Sequence, residues 1–229
     1  MTKPDIYVNP VVQAVRQLHE DLFTEAFRRL SIREQLQRQA QRIVEAHESG
    51  STAVATHVTC WHPQLVGHSV DDIMSHELTL RDARETIARE YGFSNWADAE
   101  ARGTSPPNRE FEAAVDALLA GAVTDLRAML EQWPSLIHQR SSFGHRSTLL
   151  HYVGCNGVET YRQVVPLNLA DVARVLIEAG ADVNAPAEMY GGNCTAIALL
   201  ITSAFPAEAG VVDDVVQVLI DAGAETSDD

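Results

Sequence analysis

Apolar residues along this chain fall in one-sided stripes at helical spacing. From Asn9-Pro10, a capping residue followed by a first-turn proline, Val11, Val15, Leu18, Leu22, Phe23, Ala26 and Leu30 trace one such stripe. Ser31 and Glu34 form a capping box for a second helix with Leu36, Ala40, Ile43 and Val44 on its apolar side, ended by Ser49-Gly50. A weaker helix is predicted over residues 52–61; it must stop by Pro63, since proline pushes the residue before it out of the helical region. Ser69 and Asp72 suggest a short fourth helix. Thr79 and Asp82 open a fifth, with Leu80, Ala83, Ile87 and Tyr91 inward and Gly92 as terminator; Ser94 caps a last short helix carrying Trp96.

The C-terminal half repeats itself. Residues 169–185 read LADVARVLIEAGADVNA: Val172, Val175, Leu176 and Ala179 mark one buried helix face, Gly180 ends the helix, and Asp182 and Asn184 suit a tight turn. A second copy runs over residues 215–225, its helix-ending Gly223 lying 43 residues after Gly180. A third, weaker copy spans residues 124–131, before Trp133-Pro134. Shorter helices precede the copies at residues 111–120, 148–155 and 195–203. Helix-turn-helix units at such intervals bury their apolar faces against one another as a solenoid. The stretch RGTSPPN, residues 102–108, reads as a linker. We therefore divide the chain into an N-terminal helical segment, 1–103, and a repeat region, 104–229. Short amphipathic helices cannot stand alone, so the first segment is at least a cap on the repeats.

Thr148-Leu149-Leu150-His151 resembles the T-P-L-H opening of an ankyrin repeat, and residues 179–185 resemble its closing turn. The likeness covers about residues 110–225, and implies an all-α fold: an ankyrin-repeat helical solenoid of about three irregular repeats with an N-terminal helical bundle. It also implies that His151 hydrogen-bonds the backbone between neighbouring repeats. Thr148 to Thr195 spans 47 residues, against about 33 for the usual repeat. The excess lies in residues 157–168 and 186–193, an enlarged inter-helix loop and an enlarged finger loop. With LRDARETIAREYGFSNW at residues 80–96, the wider chain resembles bacterial ankyrin-repeat proteins carrying a helical N-terminal segment.

Composition narrows the partners. The formal net charge is −15, made of 17 basic and 32 acidic side chains. The charge is uneven: residues 1–103 carry −4 and residues 104–229 carry −11. Such a surface repels phosphate backbones, so neither nucleic acid nor an anionic membrane is an expected partner. A basic protein patch or a cationic small molecule fits better. No apolar run reaches the length of a spanning helix and residues 1–9 lack the pattern of a secretory signal. Cys60, Cys155 and Cys194 are odd in number and widely spaced, which points to a reduced, cytoplasmic setting.

Two functional readings follow. The first is a non-catalytic module without a cofactor, gripping a protein partner through its concave face and finger loops. Phe143, His145, Tyr190 and Asn193 on the fingers and Tyr161 and Arg162 on the insertion are its contact residues; Gly191-Gly192 would let the finger backbone turn freely. The uncapped last helix also admits a homodimer. The second is an enzyme of small-molecule metabolism. There, His57, Cys60 and His62 would hold zinc or a similar divalent ion with an open position, in a pocket beside Tyr190. That ligand spacing matches no established metal motif, and packing or surface histidines explain it better. His151 and Cys155, four residues apart, would share a helix face as a reactive pair.

Overall fold

The computed structural model describes residues 4–226. They are predominantly helical, with one two-stranded pairing. The chain forms two compact units. One comprises Pro10–Pro107 with Glu159–Tyr161; the other comprises the segment up to Asn9, Asn108–Val158 and the segment from Arg162 onward.

The first unit holds α1 (Pro10–Leu18), α2 (Glu25–Arg28), α3 (Ile32–Glu48), α4 (Ala55–Trp61), α5 (Val70–Ser75), α6 (Leu80–Glu90) and α7 (Trp96–Arg102). Helix α3 is its spine, packing most extensively on α6, which in turn packs on α4. Leu36, Ala40 and Ile43 of α3 and Ala83 and Ile87 of α6 are completely buried, each larger aliphatic contributing about 1.5–3 kcal/mol. Both capping boxes form. The Glu34 carboxylate accepts from the Ser31 amide at 3.0 Å, and Asp82 from the Thr79 amide at 3.0 Å.

The N-terminal stripe is not one helix. Helix α1 stops at Leu18, and Thr24 caps α2 by accepting the Phe27 amide at 3.2 Å. The break turns His19 into the interior, where its side chain is fully buried. The predicted helix over 52–61 begins as a 3-10 turn at Thr52–Val54 before α4 continues to Trp61. At the C-cap, His62 takes ψ 133° ahead of Pro63, the extended conformation that proline imposes.

The second unit contains α8 (Arg109–Leu119), α9 (Val123–Gln132), α10 (Leu169–Glu178), α11 (Ala196–Thr202), α12 (Ala204–Glu208) and α13 (Val212–Asp221). Helix α8, the 3-10 helix Leu149–Gly154 and α11 contact one another in that order, as do α9, α10 and α13; each member of the first row pairs with one of the second. The expected helix over 148–155 is thus a tighter 3-10 turn. Its last residue, Gly154, explains the approach: an added Cβ would lie 2.6 Å from the Leu199 side chain on α11.

Two side chains tie successive turns together. His151 Nδ1 accepts the Thr148 amide at 3.1 Å, so the proton sits on Nε2, which donates to the Cys194 carbonyl at 3.1 Å. Asn184 Nδ2 donates to the Gly223 carbonyl at 2.9 Å, and its Oδ1 accepts the Glu225 amide at 2.8 Å. The insertion tucks inward: Val164 and Val165 are buried, and β1 (Ile6–Tyr7) pairs antiparallel with β2 (Val165–Pro166).

Candidate functional site

The finger and insertion residues separate into two groups. Phe143 and His145, expected on display, lie 2 % and 0 % exposed. The reason is local: His145 Nδ1 accepts the Ser147 amide at 3.2 Å, which folds the loop back on itself, and the Phe143 ring packs beside it. Arg162 is also buried. Its guanidinium binds Glu112 at 2.6 Å, has Asp116 at 3.6 Å, and lies over the Tyr152 ring. These contacts make Arg162 an internal cation rather than a surface anchor. Tyr161 is half-buried and stacked on Phe23 at 4.1 Å.

Tyr190 and Asn193 are on the surface. Four successive residues, Tyr190, Gly191, Gly192 and Asn193, take positive φ, with Tyr190 at 47°. Glycine reaches that region without strain and asparagine tolerates it, but for an aromatic residue it costs about 1–2 kcal/mol. The Tyr190 hydroxyl donates to Asn156 Oδ1 at 2.7 Å, and Asn156 Nδ2 donates to Thr202 at 3.3 Å. The ring remains 60 % exposed, and Ile201, beside Thr202 in α11, is 58 % exposed.

The interior of the first unit assembles a set of titratable groups that no sequence motif joined. Glu90, at the end of α6, is 1 % exposed and its Oε2 meets His57 Nδ1 of α4 at 2.5 Å. Its Oε1 accepts the Thr160 amide at 2.9 Å. His57 Nε2 and His19 Nε2 lie 3.2 Å apart. Burial pushes the Glu90 carboxyl up, but the His57 charge, its hydrogen bond and the Thr160 amide outweigh this and leave it below its ordinary value. Burial, then His57 and Arg42, hold His19 well below the usual imidazole range. His19 Nδ1 is buried and meets no hydrogen-bonding partner, an orphaned group worth about 1–3 kcal/mol.

The three candidate metal ligands do not converge. His57 uses both ring nitrogens in that cluster. His62 Nδ1 accepts the amides of Gln64 and Leu65, each at 3.1 Å, which places its proton on Nε2 and leaves no lone pair for an ion. Cys60 is exposed. Among the described residues, no group of three or more His, Cys, Asp or Glu side chains could hold a metal ion. The His151–Cys155 pair does not form either. A 3-10 turn does not align residues four apart. Burial lifts the Cys155 thiol to about 12, so it stays protonated.

Sequence reasoning missed His19, Glu90, Asn156 and Ile201. Glu90 left a signal: it lies three residues beyond Ile87, on the buried face of α6, and a carboxylate there calls for a partner. His19 left none, because an unbroken stripe conceals where α1 ends. Comparison with family models, curated proteins and solved structures returns no match, so the residues themselves carry the functional reading.

Proposed function

We propose that this chain is a protein-interaction module of ankyrin type, and that it grips its partner through the face carrying Tyr190, Asn193 and Ile201. The observation that carries this reading is Tyr190: a left-handed aromatic residue, held by its own hydroxyl, whose ring nevertheless stays in solvent. Backbone strain of that kind is retained where it serves a site, and an exposed, immobilised tyrosine offers contact area at little entropic cost. Ile201, next in sequence to the Thr202 that holds Asn156, adds an exposed apolar side chain.

The ankyrin reading draws support from the His151 and Asn184 bonds, which link turns about 40 residues apart, the spacing at which the sequence repeats. The acidic balance favours a partner with a basic contact patch. Three unpaired thiols accord with a reducing, cytoplasmic setting.

The test places a photo-crosslinking residue at position 190 in cells that make the protein. A discrete partner should crosslink there, and Ile201→Glu should abolish it while the melting temperature stays unchanged. Absence of any discrete adduct, or one that survives Ile201→Glu undiminished, overturns the reading.

A further inference from the structure

Residues 4–9 read PDIYVN, and Ile6, Tyr7 and Val8 are strand formers in a chain built mainly of helices. The segment crosses the second unit and meets it at three places. At the first, the Pro4 ring lies against Gly121, in the turn between α8 and α9. A Cβ on Gly121 would come within 2.8 Å of Pro4 Cγ, so only glycine leaves room for that ring. At the second, β1 pairs with β2, Ile6 opposite Pro166 and Tyr7 opposite Val165, and the Leu167 amide donates to the Asp5 carbonyl at 2.9 Å. Pro166 has no amide to give, but it faces Ile6 beside the bonded Asp5–Leu167 pair, where an antiparallel ladder needs none. At the third, the Tyr7 hydroxyl donates to Glu208 Oε2 at 2.6 Å, and Asn9 Nδ2 donates to the same oxygen at 2.8 Å.

The two sides of this contact are held unequally. Strand β2 is fixed in the fold: Val164, Val165 and Pro166 are buried, and the Cys155 thiol donates to the Val164 carbonyl at 3.3 Å. Asn168, just beyond it, donates to the Gly121 carbonyl at 2.9 Å. None of residues 4–9 is buried. Both bonds to Glu208 are exposed, where water competes for them, and a pairing two residues long is marginal by itself. The segment can therefore lift while the surface beneath keeps its shape. Lifting uncovers a strand edge at β2, a notch at Gly121 and an anionic acceptor at Glu208. The Tyr7 hydroxyl, and then Asn9, hold that carboxyl below its ordinary range, so the acceptor is matched to donors in its charged form.

We propose that this surface is a peptide-binding site and that residues 4–9 are a built-in competitor occupying it. The ligand is an extended peptide with tyrosine two residues ahead of asparagine and proline three residues ahead of the tyrosine. Its main chain adds to the edge of β2, the mode by which an exposed strand edge captures a peptide. Its proline fills the notch at Gly121. Residues two apart lie on one side of an extended chain, so its tyrosine and asparagine both reach Glu208, which supplies the selectivity. Nothing in this reading uses Tyr190, Asn193 or Ile201.

The test uses the full chain and a fluorescent peptide of sequence PDIYVN. The tethered segment acts at an effective concentration on the order of millimolar, so the unaltered chain should take up the peptide poorly. Tyr7→Ala loosens the segment and leaves Glu208 and β2 intact; that variant should bind the peptide about tenfold more tightly. The peptide PDIFVN, which lacks the hydroxyl, should bind the same variant about tenfold more weakly than PDIYVN. A second measurement needs no variant. The Leu167 amide, bonded to the segment, should exchange its hydrogen well ahead of the amides in the middle of α10, and saturating PDIYVN should slow it. A Leu167 amide as slow as those of α10, equal peptide binding by the two chains, or PDIFVN bound as tightly as PDIYVN overturns the proposal. None of these outcomes depends on position 190, so this site and the docking face stand or fall separately.

Discussion

His151 is a side chain whose protonation the fold opposes, and it carries a pH prediction. Burial lowers it from about 6.5 to about 4, outweighing the Cys194 carbonyl at Nε2, which favours the charged ring. Well above pH 6.5 neither folded nor unfolded chain is protonated at this site, and its contribution to stability is whole. As pH falls toward 4 the unfolded chain takes up the proton first, and stability drains away until the folded value is passed. Between pH 7 and 4.5 this one group should cost about 2–3 kcal/mol. Urea unfolding at the two pH values measures it: His151→Asn should show a loss smaller by about 2 kcal/mol, and an identical loss in both proteins refutes the assignment. His151 was legible, since Thr148, three residues before it, supplies the amide that its ring accepts. Phe143 and His145 were not, because no motif announces the Ser147 amide that folds their loop inward, and Arg162 was not, because its burial depends on Tyr152 and on the distant Glu112.

Elements were legible where they are punctuated. Ser31, Thr79 and Asn108 begin helices because their side chains or their N3 partners meet exposed amides, a purely local matter. The unbroken stripe from Val11 to Leu30 misled, since hydrophobic period alone does not reveal a turn at His19 that the interior requires. The 3-10 helix Leu149–Gly154 is another tertiary decision: Gly154 is needed so that its backbone can approach Leu199. Gly154→Ala should therefore destabilise the protein by about 1–3 kcal/mol through overpacking, although alanine favours helix. Thermal unfolding checks it, and a stabilised variant would show that α11 yields easily.

Charge acts on the molecule entire. With a formal net charge of −15, self-repulsion opposes compaction, and salt screens it. Raising sodium chloride from about 0.01 M to about 0.15 M shortens the screening length from about 30 Å to about 8 Å. The urea midpoint should rise over that range; a fall would mean that the exposed ion pairs, such as Arg127 with Glu178 and Arg174 with Asp171, matter more than the repulsion. No described helix is long and apolar enough to cross a membrane.

The order of residues was sufficient to specify helix as the dominant structure, the capped helix starts, the paired copies ending at Gly180 and Gly223, and the acidic field, because each depends on neighbours a few positions away or on composition. The contact between Glu90 and His57, the burial of Arg162, and the outward ring of Tyr190 were settled by folding. Those outcomes join residues tens of positions apart, and they turn on which polar atoms find partners once water has been excluded.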